Sequence, residues 1–171
     1  VTVARMQIRT DDPTRAEVIA LLQAHLDDMH DTSPAESVHA LDPQALARPD
    51  ITFWTASEGD AVVGCAALRE LAPDEAELKS MRTVPSARGR GVGTALLRQV
   101  LDEARARGYR RVSLETGTHA FFTPAHQLYA AHGFLPCAPF GTYVEDPHSR
   151  FFTLDLSDAS AAGNTSNASS P

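Results

Sequence analysis

The segment Arg88-Gly89-Arg90-Gly91-Val92-Gly93 lies between a strand-like run, Glu75 to Val84, and an amphipathic helical run, Gly93 to Arg107. It restricts the fold more than any other stretch. Glycines at alternate positions let the backbone adopt positive φ and approach a bound group closely. The first turn of the following helix leaves N–H groups without intrahelical partners, and its dipole favours an anion there. Arg88 and Arg90 add positive charge to a chain with 22 acidic and 15 basic residues, formal net charge −7. Strand, turn and helix start together predict an anion-binding corner.

The turn is followed by a strong helix, in which Leu96, Leu97, Val100, Leu101 and Ala104 form one apolar stripe and Gly108 is the stop. Before it, Val3 to Ile8 reads as an opening strand. A helix starting in Asp11-Asp12-Pro13-Thr14 carries Val18, Leu21, Leu22 and Leu26 and ends near His30. Residues 31–49 hold three prolines and short helical fragments such as Pro43 to Ala47. Ile51 to Ala56 and Ala61 to Arg69 read as a hairpin around Glu58-Gly59-Asp60. After the strong helix come a strand at Arg111 to Thr116 and a helix at Pro124 to His132 with Thr123 as N-cap and Gly133 as stop. Phe134 to Cys137 and Phe151 to Leu156 are late strands. The order predicts one mixed α/β domain over residues 1–156. The Ser-, Ala- and Asn-rich segment 157–171 reads as a disordered tail, whose sequons at Asn164 and Asn167 we take as chance.

Several classes are excluded or disfavoured. The turn follows a hairpin series rather than opening a βαβ unit, which argues against a Rossmann fingerprint, and it lacks the Gly-Lys-Ser/Thr ending of a P-loop. The acidic balance argues against a general nucleic-acid partner. No apolar stretch approaches the roughly 20 residues needed to cross a bilayer. The start, Val1-Thr2-Val3-Ala4-Arg5, has no signal-peptide h-region, so the expected location is cytoplasmic. Cys65 and Cys137 form no metal-ligand pattern, and Cys65 lies in an apolar run that predicts a buried thiol.

Met81-Arg82-Thr83-Val84-Pro85-Ser86-Ala87-Arg88-Gly89-Arg90-Gly91-Val92-Gly93-Thr94-Ala95-Leu96-Leu97 resembles motif A of the GNAT acetyltransferase superfamily. Leu128-Tyr129-Ala130-Ala131-His132-Gly133-Phe134 is similar to its motif B, and the likeness covers roughly Gln7 to Leu156. The resemblance, closest in look to small bacterial members, implies a mixed, mostly antiparallel sheet of six or seven strands with splayed central strands, flanked by about four helices. It implies acetyl-CoA as donor, with pantetheine in the splay beside backbone groups of Met81 and Thr83 and near Arg82. It places the pyrophosphate on Arg88, Gly89, Arg90, Gly91, Val92, Gly93 and Thr94, with further cofactor contacts from Thr123 and Ala125. Many relatives carry an Asn where this chain has Phe122, a departure within the cofactor region. Tyr129 matches the general acid that assists the leaving thiolate.

Acyl transfer to an amine also needs a proton acceptor. Glu115, ending the strand before motif B, is the first candidate, with Glu77, Glu70 and His119 as alternatives. The polar segment holding His30, Ser33, Glu36, Ser37 and His39 is expected to bind the acceptor. Glu36 suits a cationic amine, whereas Lys79 and Arg82 suit a carboxylate. The Gly141 to Pro147 loop is a further expected border of that site. The expected activity is acetyl transfer to a primary amine, with a small molecule as leading acceptor. A protein N-terminus or lysine, and a CoA-binding sensor without turnover, remain alternatives. The resemblance admits a homodimer, and no surface for one is fixed by the sequence.

Overall fold

The structure is a computed structural model and describes residues 5–157. Seven strands form one sheet in the order β1-β2-β3-β4-β5-β7-β6, the upper of the two expected strand counts. β1 (Met6–Thr10), β2 (Ile51–Glu58), β3 (Ala61–Ala72) and β4 (Glu75–Thr83) are antiparallel neighbours. β5 (Arg111–Gly117) runs parallel to β4, and β7 (Ser149–Asp155) pairs antiparallel with β5 and with the short edge strand β6 (Leu135–Pro136). The four helices are α1 (Ala16–Thr32), α2 (Pro43–Leu46), α3 (Val92–Ala106) and α4 (Thr123–Ala131). The expected tail lies outside the described residues from 158 onward, sequons included.

Apolar residues fill both faces of the sheet. On one face, the stripe Leu96, Leu97, Val100, Leu101 and Ala104 of α3 packs with Leu68, Leu78, Leu114, Tyr129 and Phe134. On the other, Val18, Leu21 and Leu22 of α1 and Leu46 of α2 pack on Phe53, Cys65 and Ala67. The Cys65 thiol is fully buried and contacts the Ser80 carbonyl at 3.1 Å, and burial pushes it up to about 12. It is therefore an inert core group.

Two helix starts differ from the sequence reading. α1 begins at Ala16 rather than within Asp11–Thr14. Asp11 serves a longer-range purpose: its carboxylate accepts from Arg15 Nε at 3.1 Å and Nη2 at 2.7 Å, and from the Thr55 hydroxyl at 2.7 Å. Burial alone would raise this acid, but those bonds outweigh it and lower Asp11 to about 2. α4 is entered through a 3-10 turn, Ala120–Phe122, so Thr123 is already helical and gives no side-chain cap. His119 caps that turn instead, accepting from the Phe121 N–H at 3.0 Å.

The pairing of β4 with β5 positions the functional site. Their bridged residues run only from Glu75↔Arg111 to Glu77↔Ser113. Beyond Glu77 the strands separate, as the resemblance implied. β4 also carries a bulge against β3, and within it Ser80 adopts φ +53, in the left-handed region. A non-glycine residue there stores roughly 1–3 kcal/mol of strain, and such outliers cluster at functional sites.

Candidate active site

Two features converge where β4 and β5 part. The first is the turn after β4. Gly89 and Gly91 have φ +76 and +84, whereas Gly93 is an ordinary helical residue. Gly93 is small for another reason: a Cβ there would sit 3.3 Å from Leu128 and 3.7 Å from the Thr83 hydroxyl. The backbone N–H groups of Gly89, Arg90, Gly91, Val92, Gly93 and Thr94 have no hydrogen-bond partner among the described residues, and the first helical bond is Ala95 N–H to Gly91. An unbroken row of free donors at a helix N-terminus is a concave anion site, and its chemistry fits a pyrophosphate.

The arginines of the turn are already engaged. Arg90 pairs with Glu58 at 3.0 Å on the surface, and Arg88 lies over the Phe121 ring, 5.7 Å from its centroid. Arg82, expected near the cofactor or an acceptor carboxylate, is buried and donates to Asp28 on α1 at 2.5 Å. The backbone therefore supplies the continuous row of free donors at this corner, although Arg82 Nε is also without a partner.

The second feature is a cavity of about 100 Å³ in the opening between the strands. Leu78, Lys79, Ser80 and Met81 form one wall, and Leu114, Glu115, Thr116 and Gly117 form the other. Ala125 and Tyr129 of α4 and the Phe122 ring close the inner end. Gly117 has no room for a side chain, because a Cβ would lie inside the Phe122 ring. Phe122, which replaces the Asn of many relatives, is thus a wall of the cavity.

His25 and Met29 of α1, and Ser33, Ser37 and His39 of the following loop, form the roof, with Tyr143 from the loop before β7. Ser37 donates to Asp146 at 2.6 Å, and the His39 and Tyr143 rings meet edge to face at 5.0 Å. Loops more than a hundred residues apart in sequence are thereby fastened over one space.

Tyr129 is buried between Phe134 and Phe152, and its hydroxyl has no hydrogen-bond partner among the described residues. Burial, reinforced by nearby Glu115, pushes this phenol well above its ordinary value, so it stays protonated at neutral pH. Glu115 has no ion-pair partner among the described residues. Burial raises its carboxyl, against the Ser149 hydroxyl, His39 and Lys79, which pull it down. A phenol that holds its proton and a carboxyl raised above its ordinary range thus stand on one cavity.

Other expected residues fall elsewhere. His30 is exposed and, with Ser33, His119 and His148, borders a second, outer cavity. Glu36 is exposed and lines neither cavity, and Thr123 lies outside both. Among the alternative bases, Glu70 is exposed, His119 faces the outer cavity, and Glu77 is buried beside Lys79 at 3.0 Å. Sequence reasoning missed His25, which burial and then Arg82 push down to about 4, leaving it neutral. It also missed Ser80, whose bulge conformation has no local sequence signal.

Known proteins share much of this sequence and fold. Residues 18–134 match the model of the acetyltransferase (GNAT) family. The chain is 48% identical over 151 residues to an uncharacterized N-acetyltransferase of Bacillus subtilis, covering 88% of this chain and 100% of that one. It is 40% identical over 157 residues to the IAA acetyltransferase of Azospirillum brasilense, covering 91% and 98%. Its fold superposes on a Klebsiella pneumoniae protein assigned as an acyl-CoA N-acyltransferase with a TM-score of 0.72, at 31% identity and covering 90% and 99%.

Proposed function

The chain belongs to the acetyltransferase (GNAT) family, and from that premise we propose that it moves an acetyl group from acetyl-CoA directly to a primary amine of a small acceptor. It is an acetyltransferase; the amine, the small acceptor and the residue roles are our reading. The observation that carries them is the placement of Tyr129 and Glu115 on one cavity, beside the free N–H row of Gly89 to Thr94. Acetyl-CoA supplies an activated thioester. The N–H row would hold its pyrophosphate, and the opening between β4 and β5 would take its reactive end.

The acceptor enters as an ammonium and must become a neutral nucleophile. Glu115 takes that proton, and its raised affinity for protons suits the task. The nitrogen then forms its bond to the acetyl carbon as the carbon–sulfur bond breaks. Tyr129 gives its phenolic proton to the departing sulfur and regains one from the acylated nitrogen. Neither cysteine lies on the cavity, so the transfer needs no acyl-cysteine stage. No helix among the described residues is long and apolar enough to cross a membrane. Both cysteines are free, in keeping with a cytoplasmic enzyme.

The roof loops, fastened over the cavity by Ser37 on Asp146 and by His39 against Tyr143, support a small acceptor over a protein chain. The test is acetyl-CoA consumption against a panel of small amines and of peptides with free N-termini or lysines. Turnover confined to peptides would overturn the small-acceptor reading. CoA binding without turnover on any amine would overturn amine acetylation.

A further inference from the structure

The two walls of the inner cavity carry opposite charges in register. Glu77 and Ser113 are the last bridged pair of β4 and β5, and two residues farther along each strand stand Lys79 and Glu115. A step of two keeps both on the same sheet face. Lys79 therefore faces Glu115 across the opening, yet its ion pair is with Glu77 at 3.0 Å, not with Glu115. The Lys79 side chain is only 8% exposed and lines the cavity.

Each wall lacks something a ligand would supply. On β5, the Glu115 carboxyl has no cation partner among the described residues. On β4, the Ser80 hydroxyl is nine-tenths buried, borders the cavity and has no hydrogen-bond partner, although buried polar atoms nearly always have one. Lys79 donates to the Tyr143 hydroxyl at 3.0 Å, which leaves the phenolic proton to be shared between Glu77 and a ligand in the cavity. An ammonium carries three donors, of which Tyr143 occupies one, while Glu77 lies beside it as an ion pair.

We infer that the acceptor is a compact α-amino acid, its amine on Glu115 and its carboxylate on Lys79, Ser80 and Tyr143. This rests on the acetyl-transfer reading above and narrows its acceptor. A simple monoamine would satisfy Glu115 but leave the Ser80 hydroxyl buried and unpaired. A second carboxylate would face Glu77 and Glu115 with only Lys79 to offset it. The same opening would also take the acetyl end of the donor, so small side chains such as those of alanine and serine are the first to test. The products are an N-acetyl amino acid and free CoA thiol, with one proton released to solvent by way of Glu115.

The test compares kcat/KM for alanine and serine with that for ethylamine and ethanolamine, the same amines without the carboxylate. These amines differ in basicity, so the diagnostic quantity is how the ratio changes between wild type and variant. Ser80→Ala removes a hydroxyl that no other group uses, so the fold is retained. The pair Glu77→Gln with Lys79→Met removes the charged anchor and its counter-ion together, and because both also act on Glu115 it is read only through the ratio. Either variant should lower the ratio of kcat/KM for the amino acid to that for its carboxylate-free amine about tenfold or more, the worth of one charged hydrogen bond. If ethylamine is acetylated and both variants keep the wild-type ratio, the carboxylate subsite is wrong while amine acetylation stands. If CoA binds and neither kind of amine is acetylated, the acetyl-transfer reading falls, and this one with it.

Discussion

The corner we propose for the donor and the cavity we propose for the acceptor lie side by side, yet they are made of different materials. At the donor corner, adjacent residues present main-chain N–H groups, and the side chains there are committed elsewhere: Arg90 to Glu58, Arg88 to the face of Phe121, and Val92 to the core. In the acceptor cavity the working groups are side chains. They come from α1, its following loop, β4, β5, α4 and the loop before β7. A backbone site keeps its chemistry under most substitutions, provided the turn can form. A side-chain site changes its chemistry with each residue. A shared donor with variable acceptors follows naturally from that division.

The sharpest way to separate the halves is Tyr129→Phe, which removes one proton donor at their junction. General acid–base groups typically contribute about 10²- to 10⁴-fold. We expect kcat to fall by about 10²-fold or more while the Kd for CoA, measured by calorimetry, is unchanged. Retained kcat would remove Tyr129 from the chemistry.

Next in size is Glu115→Gln, with an expected loss of about 10²-fold in kcat/KM for the acceptor. The base must be ionised to act, and burial raises its carboxyl. Wild-type kcat/KM should therefore rise with pH along a limb above the ordinary carboxylate range, and the variant should lose that limb. A limb that survives in Glu115→Gln belongs to another group.

On the donor side, Gly91→Val puts a β-branched residue at φ +84. No atom lies within 4 Å of the new Cβ, so the cost is backbone strain rather than a clash. Relaxing that strain misaims the N–H row. The Kd for CoA should rise about tenfold, since left-handed backbone costs an L-residue roughly 1–2 kcal/mol. Acceptor preference should not change, and a shifted preference would mean that the two halves are coupled through the turn.

The smallest effect is expected from Ser37→Ala, which unfastens the roof from Asp146. A hydrogen bond to a charged group is worth about 1.5–3 kcal/mol when buried, and this one is only part-buried. We expect the acceptor KM to rise about fivefold, with the Kd for CoA unaltered, as steady-state kinetics and calorimetry would read it.

Much of this comparison follows from how far apart in sequence the contributing residues lie. Most elements were legible because their signals are local. The stripe of α3 and the stops at Gly108 and Gly133, with φ +81 and +91, are where the pattern placed them. The misreadings occur where distant residues decide. Asp11 and Asp12 read as a helix start, but Thr55 and Arg15 hold Asp11 outside the helix. Thr123 read as an N-cap, but the preceding 3-10 turn has its own cap in His119. Glu36 has the right chemistry for an amine, yet it points to solvent while its neighbour Ser37 turns inward to Asp146.

The sequence by itself determined the family, and it already held the turn we propose for the donor and the Tyr129 of the motif B resemblance. Adjacent residues encode these through backbone geometry and short-range spacing. Only the tertiary structure decided that Arg82 is spent on Asp28, that Lys79 faces Glu115 across the opening, and that Ser80 is left buried without a partner. Those facts depend on where β4 and β5 stop pairing and on a bulge against β3. Both are set by long-range register, which no short stretch of chain records.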